Sequence, residues 1–138
     1  MIIVLDTGTW NQLGDFGACL RTHEAPRAVI DHHLTQDDLG ATRFVDPTAE
    51  ATGRLVFEAV TALGGPLPAA AAHALFVALA MDTGWFRHSN TTPATLSLAS
   101  RLVAAGARLT AAYDHLFEQN SPGRLRLLGL VLERLRLA

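Results

Sequence analysis

The amino-acid sequence predicts an α/β protein built on a parallel sheet with helices on both faces. The first observation is an all-apolar run, Ile2 to Leu5, which is typical of a strand covered on both sides. The second is a strand–helix–strand order, in which Ala28 to Ile30 forms the second strand after a helical stretch. A crossover of that length joins parallel strands through a right-handed connection, so parallel pairing is expected.

The connection between these strands is predicted to be a helix over about residues 10–22, and Pro26 ends it. The apolar face of this helix contains four residues: Leu13, Phe16, Gly17 and Leu20. Cys19 lies on the same helix and is interpreted as a core residue. Because it is the single cysteine of the chain, it excludes an internal disulfide framework and a Cys-rich zinc site.

A third short strand is expected at Arg43–Val45, followed by two helices. Asp46-Pro47 predicts the start of the first, with Asp as N-cap and Pro at the first helical position, and Gly64-Gly65-Pro66 ends it. Residues 68–81 are almost wholly apolar. A helix that is apolar all round is expected to be buried.

Three further helices are predicted in the rest of the chain. Thr92-Pro93 begins one that Gly106 closes, and a short one covers about 109–118. Ser121-Pro122 caps the last helix, which is expected over Leu125–Leu137 and carries leucines on most of its circumference. Such a surface exceeds what one neighbour covers, so this helix is expected to pair with a second copy of the chain.

Composition restricts the class of protein. With 138 residues, 49% hydrophobic and 17% charged, the chain is expected to form a globular domain rather than a disordered one. No apolar run reaches the ~18 residues that span a bilayer, and the opening segment lacks the basic leader of a secretory signal. We therefore expect a cytoplasmic protein without membrane association. The net charge of −2 argues against broad nucleic-acid coating.

Three chemistry-bearing residues stand where an apolar element ends: Asp6, His32 and Asp82. An unpaired buried charge is strongly destabilising, and a shared metal ion would offset that cost. Asp and His without Cys suit Mn²⁺ or Mg²⁺, and a pair of such ions clamps a phosphoryl group. His32 and His33 point to opposite sides of an extended chain, so one can bind metal while the other faces a substrate. Taken alone, Asp31-His32-His33 also fits a solvated loop.

Four stretches occur in an order that is specific to one family. They are Val4-Leu5-Asp6-Thr7, Ile30-Asp31-His32-His33, Phe44-Val45-Asp46-Pro47 with Glu50-Ala51-Thr52-Gly53, and Asp82-Thr83-Gly84-Trp85-Phe86-Arg87 followed by Asn90-Thr91-Thr92-Pro93. In these stretches the chain resembles the DHH phosphoesterases. The similarity is greatest to the branch of bacterial oligoribonucleases and 3′-phosphoadenosine 5′-phosphate (pAp) phosphatases.

The resemblance implies the metal ligands. Asp6 matches the aspartate that bridges two metal ions in the family. His32 and Asp82 match ligands of the second metal ion. Mn²⁺ is the expected ion and Mg²⁺ the alternative.

The resemblance also implies the remaining site residues. Asp31 would orient its neighbours through hydrogen bonds, and His33 would face the scissile phosphate and stabilise its charge. Both are therefore assigned to catalysis. Arg87 is a candidate phosphate contact because a guanidinium suits phosphate oxygens, with a plain surface arginine as the alternative. Thr83 and Gly84 are expected to shape a tight turn.

The chain departs from the family pattern at both ends. The family's first motif, a His-x-x-Pro-Asp-x-Asp-like segment with three metal ligands, has no counterpart in this sequence. A small C-terminal substrate domain is also expected in the family. The chain therefore resembles the central part of such an enzyme, with a partial DHH phosphoesterase domain at 1–121 and a linker-like helix at 122–138. It is either a fragment or a reduced homologue.

The favoured hypothesis is a metal-dependent phosphoesterase or exonuclease. It would hydrolyse phosphate ester bonds in short oligoribonucleotides or small nucleotides such as pAp, as a homo-oligomer. Polyphosphate is a less favoured substrate, because residues 1–69 contain only four arginines. The competing hypothesis is a catalytically incomplete nucleotide-binding or assembly module.

Overall fold

Three short strands form a parallel sheet in the computed structural model, which describes residues 1–136. The strands are β1 (Ile2–Leu5), β2 (Arg27–Asp31) and β3 (Thr42–Val45), in the order β1-β2-β3. Leu5 lies opposite Ile30 in the register, and Asp31 lies opposite Val45. The predicted α/β fold with a parallel sheet is confirmed, and the strands fall where the apolar runs placed them.

The helices follow the predicted order. They are α1 (Trp10–Thr22), α2 (Thr52–Ala62), α3 (Ala69–Asp82), α4 (Pro93–Ala104), α5 (Leu109–Tyr113) and α6 (Pro122–Glu133), with a π-helical turn at Asp114–Glu118. The short helix expected over about 109–118 is thus divided between α5 and the π-helical turn. The last helix begins at Pro122, directly after its N-cap Ser121, whose hydroxyl accepts from the Arg124 N–H at 3.2 Å. Leu137, its expected end, lies outside the described residues.

The sheet is covered best on the side of α1. Val4 and Val29 point to that side and form a core with two other buried residues, Leu20 and Leu39. On the opposite side, β1 is open, since Ile3 and Leu5 are 52% and 49% exposed. The expectation that the Ile2–Leu5 run is covered on both faces is wrong, because β1 is an edge strand of the described sheet.

Two side chains of α1 lie elsewhere than predicted. Phe16 and Cys19 are both exposed, although the 3.6-residue period placed Phe16 on the buried face and Cys19 was interpreted as core. The helix is kinked at Gly14, which takes φ 51° and ψ −135°. After the kink the buried face is narrow, and only Gly17 and Leu20 of this helix are buried.

The predicted start of α2 at Asp46-Pro47 is wrong, since the helix begins at Thr52. The Asp46 carboxylate caps a local turn instead, accepting hydrogen bonds from the Thr48 N–H at 2.9 Å and the Thr48 hydroxyl at 2.6 Å. Its other oxygen accepts from Arg54 at 2.7 Å. An aspartate whose carboxylate accepts hydrogen bonds from the residue two positions later forms a local turn, which is the alternative to a helix N-cap.

Helix α3 packs closely on α2 but is not buried all round, as its apolar sequence had suggested. Its buried residues lie on one face: Ala72, Phe76, Leu79 and Ala80. A Cβ on Gly53 would lie 3.1 Å from the Ala78 Cβ, so glycine at the start of α2 permits this approach. Met81, at the end of α3, is 46% exposed.

The chain divides into two compact units, Met1–Ala107 and a second that begins at Arg108. The domain boundary expected from the sequence was at 121/122, after rather than before α5. In the second unit, α6 exposes its leucines on every side, including Leu128 at 53%, and Leu135, two residues after the helix, is 62% exposed. Among the helices of residues 1–136, none combines the length and apolar character that crossing a membrane requires.

Candidate metal and phosphoester site

The carboxyl ends of β1 and β2 bring Asp6 beside the Asp31-His32-His33 segment. The Asp6 N–H donates to the Ile30 carbonyl at 3.1 Å, which continues the β1–β2 ladder by one residue. Asp6 then takes φ 61°, a left-handed conformation that is uncommon outside glycine. Backbone strain of this kind concentrates at functional sites, where the surrounding structure holds it in place.

Asp6 and Asp82 both approach the ring of His32. His32 Nε2 lies 3.7 Å from Asp6 Oδ1 and 3.7 Å from Asp82 Oδ2. Asp82 reaches this ring because it is the last residue of α3. The three side chains therefore come from the ends of β1, β2 and α3.

The hydrogen bonding of His32 determines which ring nitrogen faces the carboxylates. His32 Nδ1 lies 3.0 Å from the Ala49 carbonyl oxygen, which can only accept, so Nδ1 carries the hydrogen. In the neutral ring, Nε2 then presents a lone pair to Asp6 and Asp82. Nε2 is therefore the ring nitrogen with which His32 would bind a cation beside the two carboxylates.

The electrostatics of Asp82 agree with this geometry. Burial raises the pKa of the Asp82 carboxyl, and the nearby Asp6 carboxylate raises it further, against the opposing effect of His32 and His33. The two carboxylates thus repel each other across the site. A divalent cation between them would remove that repulsion.

Asp31 is fully buried and holds the segment around it. Its Oδ1 accepts from the His32 N–H at 2.8 Å and from His33 Nδ1 at 2.7 Å, while its Oδ2 accepts from Gln36 Nε2 at 2.6 Å. Burial alone would raise the Asp31 pKa, but hydrogen bonds from Gln36, His33 and the backbone outweigh it, and the pKa is lowered. Asp31 is therefore an ionised, internally satisfied carboxylate.

His33 lies on the same side as the converging carboxylates. One ligand atom from each of Asp6, His32 and His33 lies within 4.8 Å of the others. The hydrogen bond from Asp31 raises the His33 pKa, and the Asp6 and Asp82 carboxylates add to this against partial burial. Because Nδ1 is bound to Asp31, the remaining ring nitrogen is the one available to a ligand.

Arg87 lies in the turn that follows Asp82. It is exposed, and its Nε donates to the Gly84 carbonyl at 2.9 Å. The turn contains three successive left-handed residues, Gly84, Trp85 and Phe86, at φ 56°, 60° and 63°. Thr83, fully buried at its start, accepts from the Phe86 N–H at 3.1 Å. The guanidinium direction is thus fixed by the turn, and its contact with phosphate stays a prediction.

Sequence reasoning missed two supporting residues. The Thr52 hydroxyl donates to Asp6 Oδ1 at 2.8 Å, across 46 positions of sequence. Gln36 binds Asp31 from a loop that showed no motif. Thr52 lay inside one of the four family-like stretches, which was a usable signal. No sequence signal marked Gln36, because its role depends on how the 34–42 loop folds onto Asp31.

Comparison with known proteins places the chain beside enzymes of one kind. It is 37% identical over 103 residues to the bifunctional oligoribonuclease and PAP phosphatase NrnA of Thermus thermophilus, a match that covers 75% of this chain and 32% of the relative. It is 28% identical over 125 residues to the Bacillus subtilis protein of the same name, covering 86% of this chain and 38% of the relative. The chain spans about a third of the length of the curated relatives it matches. No protein-family model matches it.

A solved structure shares the fold. An exopolyphosphatase-related protein from Bacteroides fragilis superimposes with a TM-score of 0.89 at 21% identity, over 99% of this chain and 41% of that one. At this level of identity the match concerns the fold alone. The sequence relatives confirm the resemblance to the oligoribonuclease and pAp phosphatase branch of the DHH phosphoesterases.

Proposed function

We propose that this chain carries the metal-binding centre of a phosphoesterase that acts on short oligoribonucleotides or small nucleotides such as pAp. One observation carries the proposal: His32 Nε2 faces a carboxylate oxygen of Asp6 and another of Asp82, each at 3.7 Å. The relatives named as oligoribonuclease and PAP phosphatase support the substrate class.

The donor set fits a divalent cation. Ligand atoms that bind one ion at ~2.0–2.3 Å lie roughly 3–4 Å from one another, which matches the separations around His32 Nε2. Two carboxylates and an imidazole without thiolate suit Mn²⁺ first and Mg²⁺ second. Asp6, His32 and Asp82 would hold the ion, which when bound polarises phosphoryl oxygens and lowers the pKa of water.

Other residues of the chain would contact the phosphate and orient those contacts. A protonated His33 places positive charge beside the phosphate, and its contact with Asp31 fixes the ring orientation. Asp31 acts through His33 and the His32 backbone, so it is a positioning residue in this proposal. Arg87 is the proposed second contact to phosphate oxygens.

A second candidate function is a nucleotide-binding or assembly module. The leucines in and directly after α6 favour it, since Leu128 and Leu135 are each more than half exposed. In this alternative the same residues bind ligand without turnover. It also predicts homo-oligomers, as does the phosphoesterase proposal.

The adjacent histidines provide the test. Mn²⁺ binding to the full chain is measured by calorimetry for the unsubstituted protein, His32→Ala and His33→Ala. We expect His32→Ala to abolish binding and His33→Ala to leave it near normal, because His32 Nε2 lies 3.7 Å from an oxygen of each carboxylate whereas His33 Nδ1 is held by Asp31. Equal loss in both variants would make His33 a ligand. Absence of Mn²⁺ binding to the unsubstituted chain would contradict the metal centre itself.

Hydrolysis of pAp and of a diribonucleotide is measured on the same three proteins with Mn²⁺. His33→Ala is expected to lower turnover about 10²- to 10³-fold, as loss of one charge-stabilising group does. Metal binding without any hydrolysis in the unsubstituted chain would favour the module over the enzyme. An exposed histidine in the second unit, His115, gives the control variant His115→Ala.

A further inference from the structure

A groove of about 380 Å³ opens beside His33. Its lining comes from two short segments, 9–12 and 33–35: Thr9, Asn11, Gln12, His33, Leu34 and Thr35. The volume lies at the lower end of the range for small-molecule sites, which is roughly 300–1,000 Å³. None of these residues except His33 belongs to the proposed phosphoester site.

The two walls of the groove are fastened to each other. The Trp10 N–H donates to Asp37 Oδ2 at 2.8 Å, and the Trp10 indole N–H donates to the Asp38 carbonyl at 3.1 Å. The Asp37 N–H donates in turn to the Gly8 carbonyl at 2.7 Å. The groove is therefore a fixed feature of the loop pair.

The lining of the groove is more apolar than polar, and its polar side chains other than His33 are uncharged. Gln12 Oε1 accepts hydrogen bonds from the Thr7 hydroxyl at 2.7 Å and the Thr9 hydroxyl at 2.9 Å. This orientation leaves the Gln12 amide nitrogen to donate to a ligand. The Asn11 amide and the Thr35 hydroxyl add further donors and acceptors. Within the described residues, the lining includes no arginine.

We infer that this groove binds the nucleoside part of a nucleotide whose phosphate lies against His33. The inference rests on the proposed function, which provides the phosphate position. Amides and hydroxyls match ribose hydroxyls and base edges, which both donate and accept. A row of further phosphates would instead require cationic donors such as arginine. The site therefore selects nucleotides over polyphosphate.

The test measures binding to the full chain by NMR with two probes, AMP and inorganic pyrophosphate. AMP is expected to shift the side-chain amide signals of Asn11 and Gln12, whereas pyrophosphate is expected to leave them unchanged. Asn11→Ala and Gln12→Ala should each weaken AMP about fivefold to tenfold, as loss of a ligand hydrogen bond does. Pyrophosphate affinity should stay within about twofold. Gln119→Ala, an exposed amide of the second unit, is the control.

The outcomes separate this inference from the proposed function. If pyrophosphate binds as tightly as AMP, or if the variants weaken both equally, there is no nucleoside subsite even where Mn²⁺ binds normally. If AMP shifts neither amide signal at millimolar concentration, the inference is also overturned. If Mn²⁺ fails to bind while AMP still shifts the Asn11 and Gln12 signals, the nucleoside groove is supported and the proposed metal centre is contradicted.

Discussion

The Thr52 hydroxyl and the His32 ring contact the same carboxylate oxygen, Oδ1 of Asp6. Thr52 donates to it at 2.8 Å, and His32 Nε2 lies 3.7 Å from it. Thr52 is buried at the first turn of α2, so the hydroxyl has few alternative positions. The start of α2 thereby fixes the direction in which Asp6 presents its oxygens.

Thr52→Val is expected to weaken Mn²⁺ binding about 10- to 100-fold, the usual effect of removing a residue that orients a ligand. Thr52→Ser should keep the affinity, because it keeps the hydroxyl. Thr91 provides the matched control, since its hydroxyl is buried without a hydrogen-bond partner. Thr91→Val should therefore leave metal binding unchanged. Equal weakening in both valine variants would assign the effect to packing.

Gly8 permits Gln36 to reach Asp31. A Cβ on Gly8 would lie 1.8 Å from Gln36 Oε1, so Gly8→Ala must displace that side chain. The buried Asp31 Oδ2 then loses its donor, and we expect a loss of about 1–3 kcal/mol in the free energy of unfolding, measured with urea.

Two variants check the cause of that loss. Gly129→Ala, where a Cβ would meet nothing within 4 Å, should not destabilise the chain. In a double-mutant cycle, Gly8→Ala should cost little once Gln36→Ala is already present. Full additivity of the two substitutions would show that Gly8 acts through something other than Gln36.

The Asp31–His33 pair predicts how stability depends on pH in metal-free buffer. The folded-state pKa of Asp31 is lowered, so its contribution is present above the unfolded value of about 3.9 and is lost as pH falls through the folded pKa. The folded-state pKa of His33 is raised, so its contribution is present below about 6.5 and is lost as pH rises through the folded pKa.

Asp31→Asn removes both contributions at once. Thermal unfolding between pH 3 and 9 should therefore show a smaller fall in midpoint at each end for this variant than for the unsubstituted chain. Asp46→Asn is the comparison, because Asp46 also has a lowered pKa but no histidine partner. A difference between Asp31→Asn and the unsubstituted chain at the acid end alone would show that His33 contributes nothing.

Helix α6 is expected to pair with a second copy of the chain. Changing Leu128 and Leu135 to glutamate should lower the mass measured by light scattering, because charge on both chains would face the same interface. Leu96→Glu on α4 is the matched control, as Leu96 and Leu128 are both 53% exposed. An unchanged mass in a folded double variant would exclude α6 as the interface.

The apolar strands and the residues at their ends could be predicted because both signals are local. Asp6 and His32 follow four- and five-residue strands directly, and parallel pairing brings such ends to one edge. The bounds of α1 were predicted, but the exposure of Phe16 and Cys19 was not, because the hydrophobic period alone does not show which part of a helix face finds a neighbour. Asp46-Pro47 fits both a local turn and the start of a helix, so the sequence could not distinguish the turn at Asp46 from a helix N-cap. Thr52 and Gln36 contact Asp6 and Asp31 through the folding of the chain, and a single sequence does not show which residues such folding brings together.

The position of Asp82 at the end of α3 has a consequence for the stability of the whole first unit. The carbonyl end of a helix carries partial negative charge, so a carboxylate there is electrostatically frustrated, by about 0.3–1 kcal/mol. Asp6 adds a second negative charge facing it. The proposed metal ion would relieve this frustration, and its binding would then be thermodynamically linked to folding. The unfolding midpoint of the chain should rise with the logarithm of free Mn²⁺ and report the ion concentration around it.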